Sequence, residues 1–327
     1  MRKQTFKGLA VGLVAVLGLA ACGSDSASTD TTAAVAAPTG LACEVTDIGG
    51  VDDKGFNQIA YEGLKQAESE LGVSIDLLES ATDADYAPNL QSFVDKGCNV
   101  IVTVGFLLAD ATKAAAEANP GVQFAIVDSN TSAPNVQGLT FATDQPSFLA
   151  GYMAAATTQT GIVGTFGGIN IPPVAIFMQG FAKGVEYYNA QKGASVKVLG
   201  WDMAKQDGTF AGNFNNLDDG KNIAKSQADE GADIIFPVAG PVGLGSAQFA
   251  LESAGKVKII GVDVDMSVSN PDAAEVYIAS VLKNIDAAVF AAVKDVVEGN
   301  GVTDNYVGTL ANGGVGVAYT AVPDDIK

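Results

Sequence analysis

Histidine is absent from all 327 residues. That absence removes Ser-His-Asp and Cys-His nucleophile systems, the two-histidine zinc helix and any imidazole general base. No G-x-x-x-x-G-K-[ST] phosphate loop occurs. The loosely similar Gly240-Pro241-Val242-Gly243-Leu244-Gly245-Ser246 lacks the lysine and has a different spacing. The G-x-S-x-G nucleophile elbow is missing as well. Basic residues are scarce: 18 Lys and Arg stand against 37 Asp and Glu, a net charge of −19. Such a field repels nucleic acid and anionic membrane surfaces, which excludes a DNA- or RNA-binding role. Cysteine is rare too, with three in the chain: Cys22, Cys43 and Cys98.

What is present begins with a targeting pattern. Arg2, Lys3 and Lys7 precede an apolar run over residues 9–21 that is too short for a comfortable membrane span. Leu19-Ala20-Ala21-Cys22 resembles the bacterial lipobox, in which cleavage precedes the cysteine and the new N-terminal Cys22 is diacylated. Residues 1–21 therefore read as a lipoprotein signal peptide. An ordinary secretory signal with an incidental cysteine is the plainer alternative. Taking away the three basic groups of that segment leaves 15 against 37 acids, a balance of −22. Lipid on Cys22 would hold the protein at the extracytoplasmic face of the cell membrane without a spanning helix. Residues 22–40 are rich in Ser, Thr and Ala without periodicity and read as a flexible tether.

The stretch V-T-D-I-G-G-V-D-D-K-G-F-N-Q at 45–58 lies between an apolar run and an amphipathic one starting at Ile59, so it reads as a strand-to-helix turn. In open parallel sheets such turns line the ligand crevice. Its glycines, Gly49 and Gly50, permit positive φ. Asp47, Asp52, Asp53 and Asn57 supply polar atoms and Phe56 a flat apolar face, a set suited to a small neutral solute with hydroxyls or ring N–H groups. The same residues also fit a well-capped helix with Asp52 or Asp53 at its start.

From there strands at 42–48, 73–78, 99–104 and 122–127 alternate with helices at 57–71, 86–96 and 108–118. A second series follows, with strands at 139–142, 162–166, 196–199, 233–237 and 256–262 and helices at 146–157, 174–190, 221–230 and 244–254. One more strand at 277–281, a helix at 284–298 and a Gly-rich ribbon at 310–318 finish the chain. Unbroken alternation with short connections predicts parallel doubly wound sheets, and two successive series predict two α/β lobes facing a cleft. Cys43 and Cys98 open two apolar strands in a compartment that permits disulfides. They are either bonded, if those strands are neighbours, or two buried thiols.

Polar groups recur at strand ends: Asp47, Asp128, Asp263 and Gly240. Each alone is a common turn residue, but their repetition along one edge marks a binding cleft. Phe56 and Phe214 lie near the same edges and could sandwich a flat base, unless they are core. Lys283, in S-V-L-K-N, either reaches the cleft or is an ordinary solvated lysine. Paired carboxylates can also do acid–base work on glycosidic bonds. No nucleophile motif or metal-ligand spacing accompanies them here, so the chain does not read as an enzyme and no metal or cofactor is expected.

Several blocks resemble one family: G-G-V-D-D-K-G-F-N-Q at 49–58, G-F-L-L-A-D-A at 105–111, F-A-I-V-D at 124–128, F-L-A-G-Y-M-A-A at 148–155, G-V-D-V-D at 261–265 and S-V-L-K-N at 280–284. Together they resemble the basic membrane protein family of ABC-transporter substrate-binding lipoproteins, whose best-understood type is the purine-nucleoside receptor. The resemblance implies a type I periplasmic-binding-protein fold, α/β, with two doubly wound parallel-sheet lobes joined by three crossings around a central cleft. Crossings are expected near Thr143, Leu282 and Gly301, giving one lobe from 41–143 plus 282–300 and another from 144–281 plus 301–327. It also implies a nucleoside ligand and ABC permease subunits as partners. Phe56 and Phe214 would clamp the base, Asp128 would accept a base N–H, and Asp47 and Asn57 would assist. Asp263 would accept from ribose hydroxyls, with Lys283 and the Gly240 backbone beside the sugar. Asn215 next to Phe214, and Gly55 in place of the usual serine, depart from the family pattern. A receptor for a sugar or other polar solute, or a ligand sensor, is the alternative within the same fold.

Overall fold

The first series of elements runs β1 (Leu41–Ile48), α1 (Phe56–Leu71), β2 (Ser74–Ser80), α2 (Tyr86–Lys96), β3 (Val100–Val104), α3 (Ala109–Ala118), β4 (Gln123–Val127) and β5 (Val136–Phe141). The second comprises α4 (Asp144–Thr157), β6 (Ile162–Gly167), α5 (Pro172–Lys192), β7 (Lys197–Leu199), a small ribbon of β8 (Trp201–Asp202) and β9 (Asp207–Gly208), α6 (Leu217–Asp229), β10 (Ile234–Val238), α7 (Val242–Glu252), β11 (Lys258–Asp263), α8 (Met266–Ser269) and β12 (Tyr277–Lys283). The chain closes with α9 (Ile285–Val297), β13 (Tyr306–Gly308) and β14 (Val315–Tyr319). This computed structural model describes residues 40–302, 304–324 and 326. The expected signal peptide, Cys22 and the tether up to residue 39 lie outside the described residues.

Two six-stranded sheets carry the fold, ordered β13-β5-β4-β3-β1-β2 and β14-β12-β11-β10-β6-β7. Both have the 2-1-3-4-5 winding of a doubly wound sheet, with the reversal beside the first strand of each. All pairings in the first sheet are parallel, and only β14 runs antiparallel in the second, against β12. The central strands β3 (V-I-V-T-V) and β10 (I-I-F-P-V) are buried along their whole length, as a sheet covered on both faces requires. Helices α1 and α9 cover one face of the first sheet, and α2 and α3 the other. On the second sheet α4 and α5 take one face and α6 and α7 the other. A disulfide joins Cys43 and Cys98, whose Cα atoms lie 6.1 Å apart beneath α2.

Two helices change partners. α4 follows β5 of the first sheet but packs against α5 on the second, and α9 follows β12 of the second but packs against α1 on the first. The crossings thus lie between Phe141 and Asp144 and between Lys283 and Ile285. The third differs from the expected position near Gly301. Tyr306, Val307 and Gly308 pair with Leu139, Thr140 and Phe141, so residues 306–308 belong to the first lobe and the chain crosses between Gly308 and Val315. For the same reason the ribbon expected over 310–318 begins only at Val315.

The β10–β11 ladder is short. It pairs Ile234 with Lys258 and Ile235 with Ile259 and then stops, whereas β10 stays paired with β6 as far as Val238 and Gly167. The interruption coincides with Pro237, which has no N–H to donate to a rung. Beyond it the carboxyl ends of β10 and β11 are not paired with each other.

Candidate functional site

Carboxyl ends of the strands in both sheets face one cavity between the lobes. It encloses about 600 Å³ of space, part of it open to solvent. Asp47, Asp53, Phe56, Asn57 and Asp128 enter from the first lobe, and Phe214, Gly240, Asp263 and Lys283 from the second.

Asp47 ends the buried part of β1 at the winding reversal. Its Oδ1 accepts from Asn57 Nδ2 at 3.0 Å. Across the reversal, Gly105 follows β3 with φ +117°, and a Cβ there would lie 2.4 Å from Asp47 Oδ2. No residue with a side chain can therefore replace it without moving the carboxylate. Burial pushes the Asp47 carboxyl up to about 8, against the lowering effect of its Asn57 hydrogen bond, with Asp53 and Asp128 adding to the rise. Asn57 is buried on the first turn of α1, and its Oδ1 has no partner among the described residues. An unpartnered buried acceptor costs about 1–3 kcal/mol unless a ligand supplies a donor.

Asp53 has two roles. Its carboxylate accepts from the backbone N–H groups of Gly55 and Asn57, both at 2.8 Å, and of Gln58 at 3.1 Å, so it caps α1. It also lines the cavity. The turn thus caps α1 and lines the cavity at once, because the cap directs Phe56 and Asn57 into the cleft.

Asp128 and Asp263 occupy equivalent places, at the ends of β4 and β11. Both adopt left-handed backbone, φ +65° and +67°, a conformation aspartate tolerates better than most residues and one that turns the side chain off the strand axis. Asp128 is paired at 2.5 Å with Lys283 Nζ, and both are largely withdrawn from solvent. Burial still raises the Asp128 carboxyl above its ordinary value, Lys283 opposing it. The Asp263 carboxylate accepts no hydrogen bond from a described residue; burial raises it to about 7, with Lys283 lowering it and Asp128 and Asp53 adding to the rise. Lys283 lies at the end of β12, where the chain crosses between lobes. Its ammonium sits 4.7 Å from the Phe56 ring centre, 5.3 Å from Phe141 and 5.9 Å from Phe177, contacts each worth about 0.5–2 kcal/mol. Among the described residues it is the single cation lining the main cavity, against four aspartates.

Phe214 lies in the loop before α6 and packs over Gly168, where a Cβ would fall 2.2 Å from the ring. Phe56 and Phe214 line the same cavity from opposite lobes. Gly240 lines it with φ +52° at the entry to α7. Asn215 is not part of the arrangement. It is exposed, and its backbone N–H donates to Asn213 Oδ1. Adjacency to Phe214 in a turn does not carry the next side chain to the same side. Further lining residues come from the start of α5, namely Ile171, Val174 and Phe177, and from Phe106 and Leu107 after β3. Their sequence signal is that of core residues, since an apolar first helical turn looks alike whether it faces a sheet or a cleft.

A clasp at the mouth ties the two lobes together. Lys54, with φ +59°, donates from Nζ to Asn270 Oδ1 at 3.2 Å, and its carbonyl accepts from Ser269 Oγ. Among the described residues no group of three or more His, Cys, Asp or Glu is placed to hold a metal ion.

A family model for PnrA-like ABC transporter substrate-binding proteins matches residues 42–325. The ABC transporter nucleoside-binding protein BmpA of Lactococcus lactis subsp. cremoris is 36% identical over 81% of this chain and 75% of its own. Basic membrane protein A of Borreliella afzelii is 34% identical over 68% of this chain and 66% of its own, just under two thirds. Among solved structures, an ABC transporter solute-binding protein from Aeropyrum pernix K1 superposes with a TM-score of 0.77 at 29% identity, over 85% of this chain and 76% of its own. The two parallel-sheet lobes are those of type I periplasmic binding proteins. Such proteins are the binding components of transporters and carry out no catalytic step. The chain belongs to the PnrA-like family of ABC transporter substrate-binding proteins.

Proposed function

We propose that this protein receives nucleosides, purine nucleosides foremost, in the cleft between its lobes and delivers them to the permease subunits of an ABC importer. It would do so while held to the extracytoplasmic face of the cell membrane by lipid on Cys22. The observation that carries the ligand class is the mismatch of donors and acceptors in the cavity. Among the described residues Asp263 and Asn57 Oδ1 are acceptors without protein donors, and the one lining cation is already paired with Asp128. A ligand that satisfies them brings hydroxyls and N–H groups and no negative charge. The rings of Phe56 and Phe214 on opposite walls favour a flat body, with stacking worth about 1–3 kcal/mol per ring. A ribose hydroxyl pair on Asp263 and a purine between the rings meets both conditions. Naming of the Lactococcus lactis relative as nucleoside-binding supports the same reading.

Calorimetry with a panel of purine and pyrimidine nucleosides, free ribose and nucleotides tests it. One-to-one binding of purine nucleosides at micromolar dissociation constants or tighter, without base release, is expected. Phe56→Ala should weaken that binding by roughly 5- to 150-fold, the equivalent of one lost stack, while lowering the melting temperature of the free protein by only a few degrees through loss of its contact with Lys283. No nucleoside binding, or release of free base, would refute the proposal. Intact-mass measurement of protein from its native membrane tests the anchor, the expected species starting at Cys22 with acyl chains attached.

A further inference from the structure

Behind Asp263 the cleft continues into a second chamber. It shares Asp53, Gly240, Val262 and Asp263 with the main cavity and encloses about 350 Å³ of space, again partly open. Its origin is the broken ladder: past Ile235–Ile259, β10 and β11 are no longer joined, and the space opens among Pro237, Ile259 and Gly261. Leu244, Met266 and Tyr277 complete an apolar lining.

Apart from the Asp263 carboxylate, which the ring hydroxyls of the ligand would take, the polar side chains along this chamber are already engaged. Asp53 accepts three backbone N–H groups of the α1 cap. The Lys54 ammonium donates to Asn270 Oδ1, and Asn270 Nδ2 reaches the Tyr277 hydroxyl at 3.3 Å. With Asp263 taken by the ring hydroxyls, a further hydroxyl entering there would exchange water for walls that offer no other free side-chain partner among the described residues, and a phosphate would meet the Asp53 and Asp263 carboxylates. A short apolar group meets neither penalty.

We propose that this chamber receives a small apolar substituent on the ligand's sugar, so that the protein also takes nucleosides whose primary sugar carbon bears an alkylthio group in place of its hydroxyl. This rests on the nucleoside reading above: with the ring hydroxyls at Asp263, the remaining sugar substituent is the one beside the shared wall. Thioether sulfur and methyl suit a pocket floored by Met266, Ile259 and the Tyr277 ring.

Calorimetry of two matched pairs, adenosine with 5′-methylthioadenosine and inosine with 5′-methylthioinosine, tests this independently of base preference. Burial of two methylene-sized groups at roughly fourfold each predicts a thioether at least as tight as its parent, and up to about sixteenfold tighter. Gly243→Val narrows the chamber, since a Cβ at Gly243 lies 3.4 Å from the Pro237 ring; it should weaken the thioethers at least tenfold and the parents less than twofold. Leu244→Ala widens it and should shift preference toward the propylthio analogue. Parents that bind while their thioethers bind tenfold more weakly would overturn the chamber's role alone, as would a Gly243→Val protein that loses both members of a pair equally. Failure of adenosine and inosine themselves would overturn the nucleoside reading and this one with it.

Discussion

Glu44 offers a sharp test of how burial sets the energetics of the first lobe. It lies in the middle of β1, opposite Leu77 on one side and Val102 on the other, and is fully buried. Neither carboxyl oxygen has a partner among the described residues, and burial raises its ionisation well above the ordinary glutamate value of 4.5. Burial in that position favours the neutral acid over the carboxylate. Replacing it by Met keeps the length and removes the unsatisfied polar atoms, which should stabilise the protein by about 1–3 kcal/mol. At roughly 2–4 °C per kcal/mol that is a rise of about 2–12 °C in melting temperature.

The pH dependence has a fixed sign. Because the folded-state value lies above the unfolded one, the contribution of neutral Glu44 is fully present below pH 4.5 and is lost as pH rises toward the folded value. Wild-type stability should decline by up to about 1.4 kcal/mol per pH unit across that window from this group alone. Asp47, Asp53, Asp128 and Asp263 are raised as well and act in the same direction. The informative quantity is therefore the difference between wild type and Glu44→Met, measured by thermal melts from pH 5 to pH 9. That difference should widen with pH. A variant that melts lower than wild type, or a difference that stays constant, would show that Glu44 has ionic partners and refute the account.

Other consequences can be measured on the same protein. Asp263, at about 7 in the free protein, should accept ligand hydroxyls as the carboxylate, so affinity should fall by up to tenfold per unit as pH drops below 7 and level off above it; a flat profile from pH 5 to 8 by calorimetry would contradict this. Lys283→Met leaves Asp128 buried without its partner and should cost about 3–5 kcal/mol in thermal stability. Adding Asp128→Asn should restore most of that loss, whereas additive losses would deny the pairing. Ser269→Ala removes the donor to the Lys54 carbonyl across the cleft mouth. Ligand dissociation measured by stopped flow should then quicken by roughly 2- to 12-fold with an unchanged association rate, and equal effects on both rates would argue against a clasp.

Much of this was readable beforehand because parallel sheets obey strong local rules. Buried runs such as V-I-V-T-V leave little choice of element, and aspartates at the ends of β1, β4 and β11 fall at the cleft because crossover connections bring every strand end to one edge. Features resting on a few residues were hidden. β13 is three residues long and is held by pairing with a strand about 165 residues earlier, which no window of sequence contains. Phe177 and Val174 carry the pattern of core residues and become cleft walls only through the placement of α5. The direction of Asn215, and the gap that Pro237 leaves between β10 and β11, depend on which neighbour each backbone group meets in space.

The exchange of α4 and α9 between sheets bears on how the chain is made. Neither half is a continuous stretch, so a ribosome that has released everything through Phe141 has delivered five strands of the first sheet but not the second of the two helices on one face or the strand that closes its edge. Those arrive only with residues 285–308, after the whole second sheet except β14 has been synthesised. An early-stopped product ending anywhere before that point would display the apolar side of β3 and β4 beside α1 to solvent. Such truncated chains are ready targets for holdases and proteases, and neither half is a natural unit for separate expression.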